Sequence, residues 1–226
     1  MVLTLRDFPF FDPTCPFTIS PGDLPHWQQR GATYFITYRT VDSLPAGSLD
    51  RIIAKRDAWL LRQGVSTTSP NWPELLRHLP WPMRREFEQL VSSQFEEELD
   101  RLAGECRLAQ PVNMKIVADN LHHFDGQRYL LAGFVVMPNH VHVLVRIFPE
   151  YELLSQCYNW KHYQARQINI AENRWGSVFQ TESFDHLVRD ADHFQRFREY
   201  IKENPTKGKL RDDSYVLYLP EIDLSE

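Results

Sequence analysis

The chain has 226 residues, with 25 Lys and Arg against 30 Asp and Glu, for a formal net charge of -5. Apolar residues make up 42 % and charged residues 24 %, and 14 Phe, 9 Tyr and 6 Trp supply ample surface to bury, which excludes disorder as the main state. The longest nearly uncharged apolar stretch, Tyr129 to Pro138, is about half the ~20 residues a spanning helix needs, so no membrane association is expected. Met1 to Phe10 carries one Arg before Asp7 and has no clean apolar core, so no secretory signal is expected either. Cys15, Cys106 and Cys157 form neither a CxxC pair nor an even framework, which fits a reducing cytosol and a cytoplasmic protein. The negative balance also argues, at first sight, against a nucleic-acid binder.

The first thirty residues are rich in Pro and aromatics (Pro9, Phe10, Phe11, Pro13, Pro16, Pro21, Pro25) and are expected to wrap the surface as an extended arm. Thr33 to Thr40, dense in β-branched and aromatic residues, reads as a strand. A helix follows over Leu49 to Gln63, with Ser48 as N-cap and Gly64 as its stop. After a Pro- and Ser-rich break (Ser66 to Pro82) comes a second helical segment, about Met83 to Leu102, that holds six acids and no base between Glu86 and Asp100. Pro111 opens a helix that closes at the Asp125-Gly126 turn. Two strands, Arg128 to Met137 and His140 to Phe148, are joined at Met137-Pro138-Asn139, and a long helix runs from about Tyr151 to Ala171. An irregular stretch (Asn173 to Arg189) precedes a helix that starts at Asp190 and is expected to end at Asn204-Pro205. A short strand, Tyr215 to Leu219, finishes the chain. This order predicts an α+β protein with an antiparallel sheet, the acidic helices being an insertion at 49–110 after the first strand.

The sharpest local feature is Pro138-Asn139-His140-Val141-His142-Val143. In a strand, residues two apart share a face about 7 Å apart. His140 and His142 therefore project together, while Val141, Val143 and Val145 turn to the other side. Two imidazoles on one strand make a half-site for a divalent metal; the plainer alternative is a wet strand face. In Tyr200-Ile201-Lys202-Glu203-Asn204-Pro205, Tyr200 and Asn204 lie one helical turn apart and look the same way. The Asn204 amide is a competent third ligand, the alternative being a C-cap asparagine. Tyr158 with His162 and Tyr163 with Gln167 share the same spacing, so helical geometry alone does not single out Tyr200.

Taken together, Tyr34-Phe35-Ile36-Thr37, Leu121-His122-His123-Phe124-Asp125-Gly126, Val136-Met137-Pro138-Asn139-His140-Val141-His142, Trp160-Lys161, Phe184-Asp185-His186-Leu187-Val188-Arg189 and Tyr200-Ile201-Lys202-Glu203-Asn204-Pro205-Thr206-Lys207 resemble the REP-associated tyrosine transposases. These belong to the single-tyrosine HUH (His-hydrophobic-His) nucleases. The resemblance covers most of the chain, the acidic insertion matching least. It implies a single domain over 1–226 on a ferredoxin-like antiparallel sheet with helices on its faces. It further implies Mg²⁺ or Mn²⁺ held by His140, His142 and Asn204, and Tyr200 as the nucleophile that cuts single-stranded, hairpin-bearing DNA through a 5′-phosphotyrosine linkage. A monomer or a homodimer are both compatible with it. Two rivals stay open: a hairpin-binding relic without catalysis, and a metal-dependent phosphodiesterase without a covalent intermediate.

Candidate DNA contacts are Lys161 and Arg166 in a basic, aromatic stretch of helix, Arg189, and Lys202 and Lys207 beside Tyr200. A solvated helix face accounts for the first two equally well, and a salt bridge to Asp190 or Asp192 for Arg189. Residues 196–211 net +4, whereas Glu86 to Asp100 contributes -6 and leaves the rest of the chain at +1. A phosphate backbone responds to the local field more than to the total, so the overall charge does not weigh against a local single-strand site. The acidic run reads either as a guard against stray DNA or as a solvated helix face.

Overall fold

The computed structural model describes residues 2–20 and 26–225. In chain order its elements are β1 (Leu3–Thr4), β2 (Thr18–Ser20), β3 (His26–Gln28), β4 (Thr33–Arg39), α1 (Ser48–Arg62), α2 (Trp72–His78), α3 (Trp81–Leu99), α4 (Pro111–His123), β5 (Tyr129–Val136), β6 (His140–Ile147), α5 (Leu153–Ala171), β7 (Phe184–Leu187), α6 (Ala191–Lys207), β8 (Val216–Tyr218) and β9 (Ile222–Asp223). The main sheet has five antiparallel strands in the order β7-β4-β6-β5-β8. Its first four strands, numbered by their occurrence in the sheet, run 4-1-3-2, the ferredoxin-like order. The fold is thus the α+β architecture expected from the sequence.

Period-2 alternation in β6 divides the molecule. Val141, Val143, Val145 and Ile147 bury against one set of apolar side chains, which includes Val117 and Leu121 of α4 and Cys157, Trp160 and Ile168 of α5. The opposite face of the sheet, with Phe35, Val135 and Leu144, packs against Phe194 and Ile201 of α6. Each such apolar side chain taken from water stabilises the fold by ~1.5–3 kcal/mol. His140 and His142 lie on the α6 side, opposite Arg39 and Thr37 of β4 in register. Gly133 breaks the β5 register; a Cβ there would meet Leu219 Cδ2 at 2.7 Å, and its φ of +153° suits glycine.

Several local expectations are corrected. The residue capping α1 is Gly47 at φ 76°, because the Ser48 hydroxyl donates instead to Glu98 Oε2 of α3 at 2.9 Å. The break before the acidic helix contains a helix of its own, α2, opened by Pro73 in its first turn. The stretch taken as irregular contains β7, which adds an edge to β4. Helix α6 does not stop at Asn204-Pro205 but runs to Lys207 with Pro205 inside it. The proline removes one donor, while the Asn204 carbonyl is satisfied by Gly208 N–H at 3.0 Å and the Pro205 carbonyl by Leu210 N–H at 2.9 Å. The N-terminal stretch expected as an extended arm carries β1, β2 and β3. It buries Phe8 completely, with its ring 5.2 Å from that of Phe194. Pro21 and Pro25 lie outside the described residues.

Candidate active site

The two histidines are presented by β6 into the space under α6. Both are fully buried, with ring centroids 4.6 Å apart. Neighbours fix their second nitrogens. Asn139 donates its Nδ2–H to the Ala103 carbonyl at 3.0 Å, which turns Oδ1 toward His140 Nδ1 at 2.7 Å. A carbonyl oxygen only accepts, so His140 carries its proton on Nδ1 and leaves a lone pair on Nε2. Thr37 Oγ1 sits 2.7 Å from His142 Nδ1; a hydroxyl can accept there, which leaves the second ring free to carry its lone pair on Nε2 as well. Both Nε2 atoms are buried and have no hydrogen-bond partner among the described residues. Burial holds the His140 imidazole down to about 3, against a small opposing effect of Asn204. Burial, reinforced by His140 and Lys207, holds His142 well below the usual range. Both rings are therefore neutral, as metal ligation requires.

Helix α6 brings Tyr200 and Asn204 over them. The Tyr200 ring centroid is 5.1 Å from that of His142 and 5.8 Å, edge-on, from that of Phe35. Phe35 in turn stacks on Phe197 at 4.2 Å. Tyr200 Oη and both polar atoms of the Asn204 amide are also buried without a hydrogen-bond partner among the described residues. The four residues read from the motifs thus converge from two elements, and their unpartnered atoms share one site. Among the described residues no three His, Cys, Asp or Glu side chains gather as a metal set; beside the two imidazoles, the buried, unpartnered Asn204 amide oxygen is the candidate third donor. That donor set fits a divalent cation, since unpaired buried nitrogens and amide oxygens are costly unless something takes them up.

Glu96 of α3 and Asp100 at its C-cap complete the surroundings. Burial, reinforced by Asp100, raises the Glu96 carboxyl to about 7, with Lys207 opposing. Burial likewise raises Asp100, against Lys207 and Asn204. Burial and then the charges of Glu96 and Asp100 push the Tyr200 phenol above its ordinary range. Lys207 lies with its Nζ 4.6 Å from the Tyr200 ring centroid and 3.6 Å from Glu203. The acidic helix is consequently not a purely solvated face: two of its acids adjoin the candidate nucleophile. Their i, i+4 spacing was open to view in the sequence, but which side of α3 faces the sheet was not.

The candidate DNA contacts scatter. Lys202 and Arg166 are exposed, but Arg166 and Lys161 ride on α5, across the sheet from Tyr200. Lys161 is committed to the carbonyls of Gln180 at 3.2 Å and of Thr181. Arg189 pairs with Glu88 of α3 rather than with Asp190 or Asp192, and its guanidinium lies 4.7 Å from the Trp81 ring centroid. His186 faces Ser92 Oγ at 2.9 Å.

The fold and this site place two histidines on a central strand opposite a helical tyrosine. The family described as Transposase IS200 like matches over residues 115–204, a segment that contains His140, His142, Tyr200 and Asn204 and excludes the acidic helices. The resemblance carried by the motifs is thereby borne out across that segment, which is similar to the IS200-like transposases. A solved structure of a REP-associated tyrosine transposase bound to a REP hairpin is similar with a TM-score of 0.39 and 15 % identity, covering 83 % of this chain and 74 % of that one. No curated protein matches the chain. No helix among the described residues is long and apolar enough to cross a membrane.

Proposed function

We propose that the chain is a metal-dependent transposase and endonuclease that cleaves and rejoins single-stranded, hairpin-bearing DNA through a 5′-phosphotyrosine formed on Tyr200. The observation that supports this reading most is the convergence of His140 Nε2, His142 Nε2, the Asn204 amide and Tyr200 Oη, all buried without hydrogen-bond partners among the described residues, within the transposase-like segment. His140, His142 and Asn204 would hold Mg²⁺ or Mn²⁺; two imidazoles favour Mn²⁺ of the pair. When bound, such a cation supplies positive charge that stabilises the scissile phosphate as its charge builds and that favours the phenolate over the phenol.

The rest falls to the chain's own residues. Tyr200 Oη forms the new bond to phosphorus as the bond from phosphorus to the 3′ oxygen breaks. The phenol proton leaves to solvent, and the departing 3′ oxygen takes a proton to become a free hydroxyl. Phe35, itself stacked on Phe197, meets the Tyr200 ring edge-on and limits its rotation. The bond energy is kept in the phosphotyrosine, so another 3′-OH can reverse the step and join a new end. With burial first and the neighbouring carboxylates second raising its phenol, Tyr200 is held unreactive until charge is supplied beside it. The test is Tyr200→Phe, incubated with Mn²⁺ and a labelled hairpin oligonucleotide and run on a denaturing gel. The wild type is expected to give a covalent protein–DNA band and the variant none. Cut product without a covalent band from the wild type would assign the site to a hydrolytic phosphodiesterase instead, and binding without cutting to a relic.

A further inference from the structure

We propose that the cleft between α3 and α6 is the path along which the single-stranded part of a DNA substrate reaches Tyr200, with Arg85, Arg189 and Arg196 on its phosphates and Trp81 beneath a base. The end point of the path rests on the reading of Tyr200 as nucleophile; the cleft's preference for a single strand does not. The cleft holds 370 Å³, with Trp81, Arg85, Arg189 and Arg196 among its lining residues and Glu96 and Tyr200 as others. It is therefore continuous with the candidate site, which the basic stretch of α5 across the sheet is not.

The chemistry of its lining suits a phosphodiester chain. Arg85 and Arg196 are exposed and take part in no ion pair among the described residues. Arg189 is half sequestered by Glu88, yet its Nε, like that of Arg84, is buried without a hydrogen-bond partner. Burial, with the charges of Arg85 and Arg84 beside it, holds the Arg189 guanidinium down to about 10. Like charges crowded in this way are relieved by a polyanion, and counterions released from it add to the gain. Trp81 keeps 37 % of its surface exposed, with the guanidinium groups of Arg84 and Arg189 at 5.1 and 4.7 Å from its ring centroid. Phe11 stacks on this indole with ring centroids 6.1 Å apart, and the part of the ring left exposed beside the cations is a platform on which an unpaired base stacks. A duplex hides its base faces, so the platform selects single strand. The insertion helix α3 thus contributes a substrate channel as well as the acids beside Tyr200.

The test is binding in the absence of metal, by fluorescence anisotropy, of a hairpin oligonucleotide with a single-stranded extension. The full-length chain is compared with Arg85→Ala/Arg196→Ala across a salt series. The double variant is expected to bind roughly tenfold more weakly at low salt, with a salt slope smaller by about 1.4, the share of two single-strand phosphates. Arg85→Lys/Arg196→Lys is expected to restore the slope. Unchanged affinity and slope in the alanine variant overturn the proposal. Photo-crosslinking from 4-thiothymidine in the extension gives a second readout on the wild type. Crosslinks to 81–93 or 189–200 support the path, and crosslinks confined to α4 or α5 overturn it. A wild type that passes these tests yet forms no covalent adduct with Mn²⁺ keeps the path and loses the phosphotyrosine, and the reverse pattern loses only the path.

Discussion

His140 can offer a lone pair on Nε2 only because Asn139 accepts a hydrogen bond from Nδ1–H and so keeps the proton there, and Asn139 can do so only because the Ala103 carbonyl orients its amide. The chemistry of this candidate ligand is therefore set by a neighbour outside the candidate donor set. Thr37 meets the corresponding nitrogen of His142 from the neighbouring strand. Such partners of ligating histidines typically account for 10–100-fold in metal affinity. Asn139→Ala is expected to weaken Mn²⁺ binding by about that range, read as free Mn²⁺ by electron paramagnetic resonance, while Asn139→Asp, which still accepts from Nδ1, retains it. Equal affinity in the alanine variant would show that the site does not use His140 Nε2. Asn139 stood in the sequence beside the histidines without a visible role, because the direction of an amide is decided by a carbonyl thirty-six residues earlier.

Helix α3, α6 and strand β7 meet around two further histidines whose protonation should register in stability. Burial, with the charge of His193, holds His186 down to about 3. Burial, with Arg189, Arg196 and Arg85 against the opposing Asp190, holds His193 down to about 4. Both folded values lie below the ordinary 6.5, so between these limits the unfolded chain binds more protons. Their contribution is present in full above pH ~6.5 and is lost as pH falls toward 4. Glu96, raised to about 7 by burial and Asp100, works in the opposite direction, losing its contribution as pH rises through that value. Urea unfolding at pH 7 and pH 5 is expected to show that His186→Gln/His193→Gln loses less stability on acidification than the wild type. An equal or larger loss in the variant would contradict this packing. Element by element, legibility followed signal strength. β6 was readable because alternating histidine and valine leave no other period, and α4 because Pro111 and the Asp125-Gly126 turn bracket it. β7 was not, since four residues that include Asp185 and His186 carry no pattern of their own; the strand exists because β4 offers an open edge and His26 pairs with Asp185. The end of α6 was misread because Pro205 removes one donor without denying the helix its remaining bonds.

At the scale of the whole molecule, the net charge of -5 hides an arrangement. Arg84 and Arg85 begin α3, while Glu96 and Asp100 end it beside Tyr200, so one helix carries both signs along a single cleft. The sheet order puts the two histidines on a central strand, between β4 and β5, where neither can move without disturbing the register on both sides. Rigid histidines facing a helix-borne tyrosine suit a reaction that must hold a cut end and later release it. The most direct measurement is mass spectrometry of the covalent species formed with Mn²⁺ and a hairpin oligonucleotide. A peptide containing Tyr200 joined to a 5′-phosphate, with a free 3′-OH on the other fragment, is the predicted result. An adduct on Tyr158 or Tyr163, a 3′-phosphate linkage, or cut DNA with no adduct at all would contradict the account.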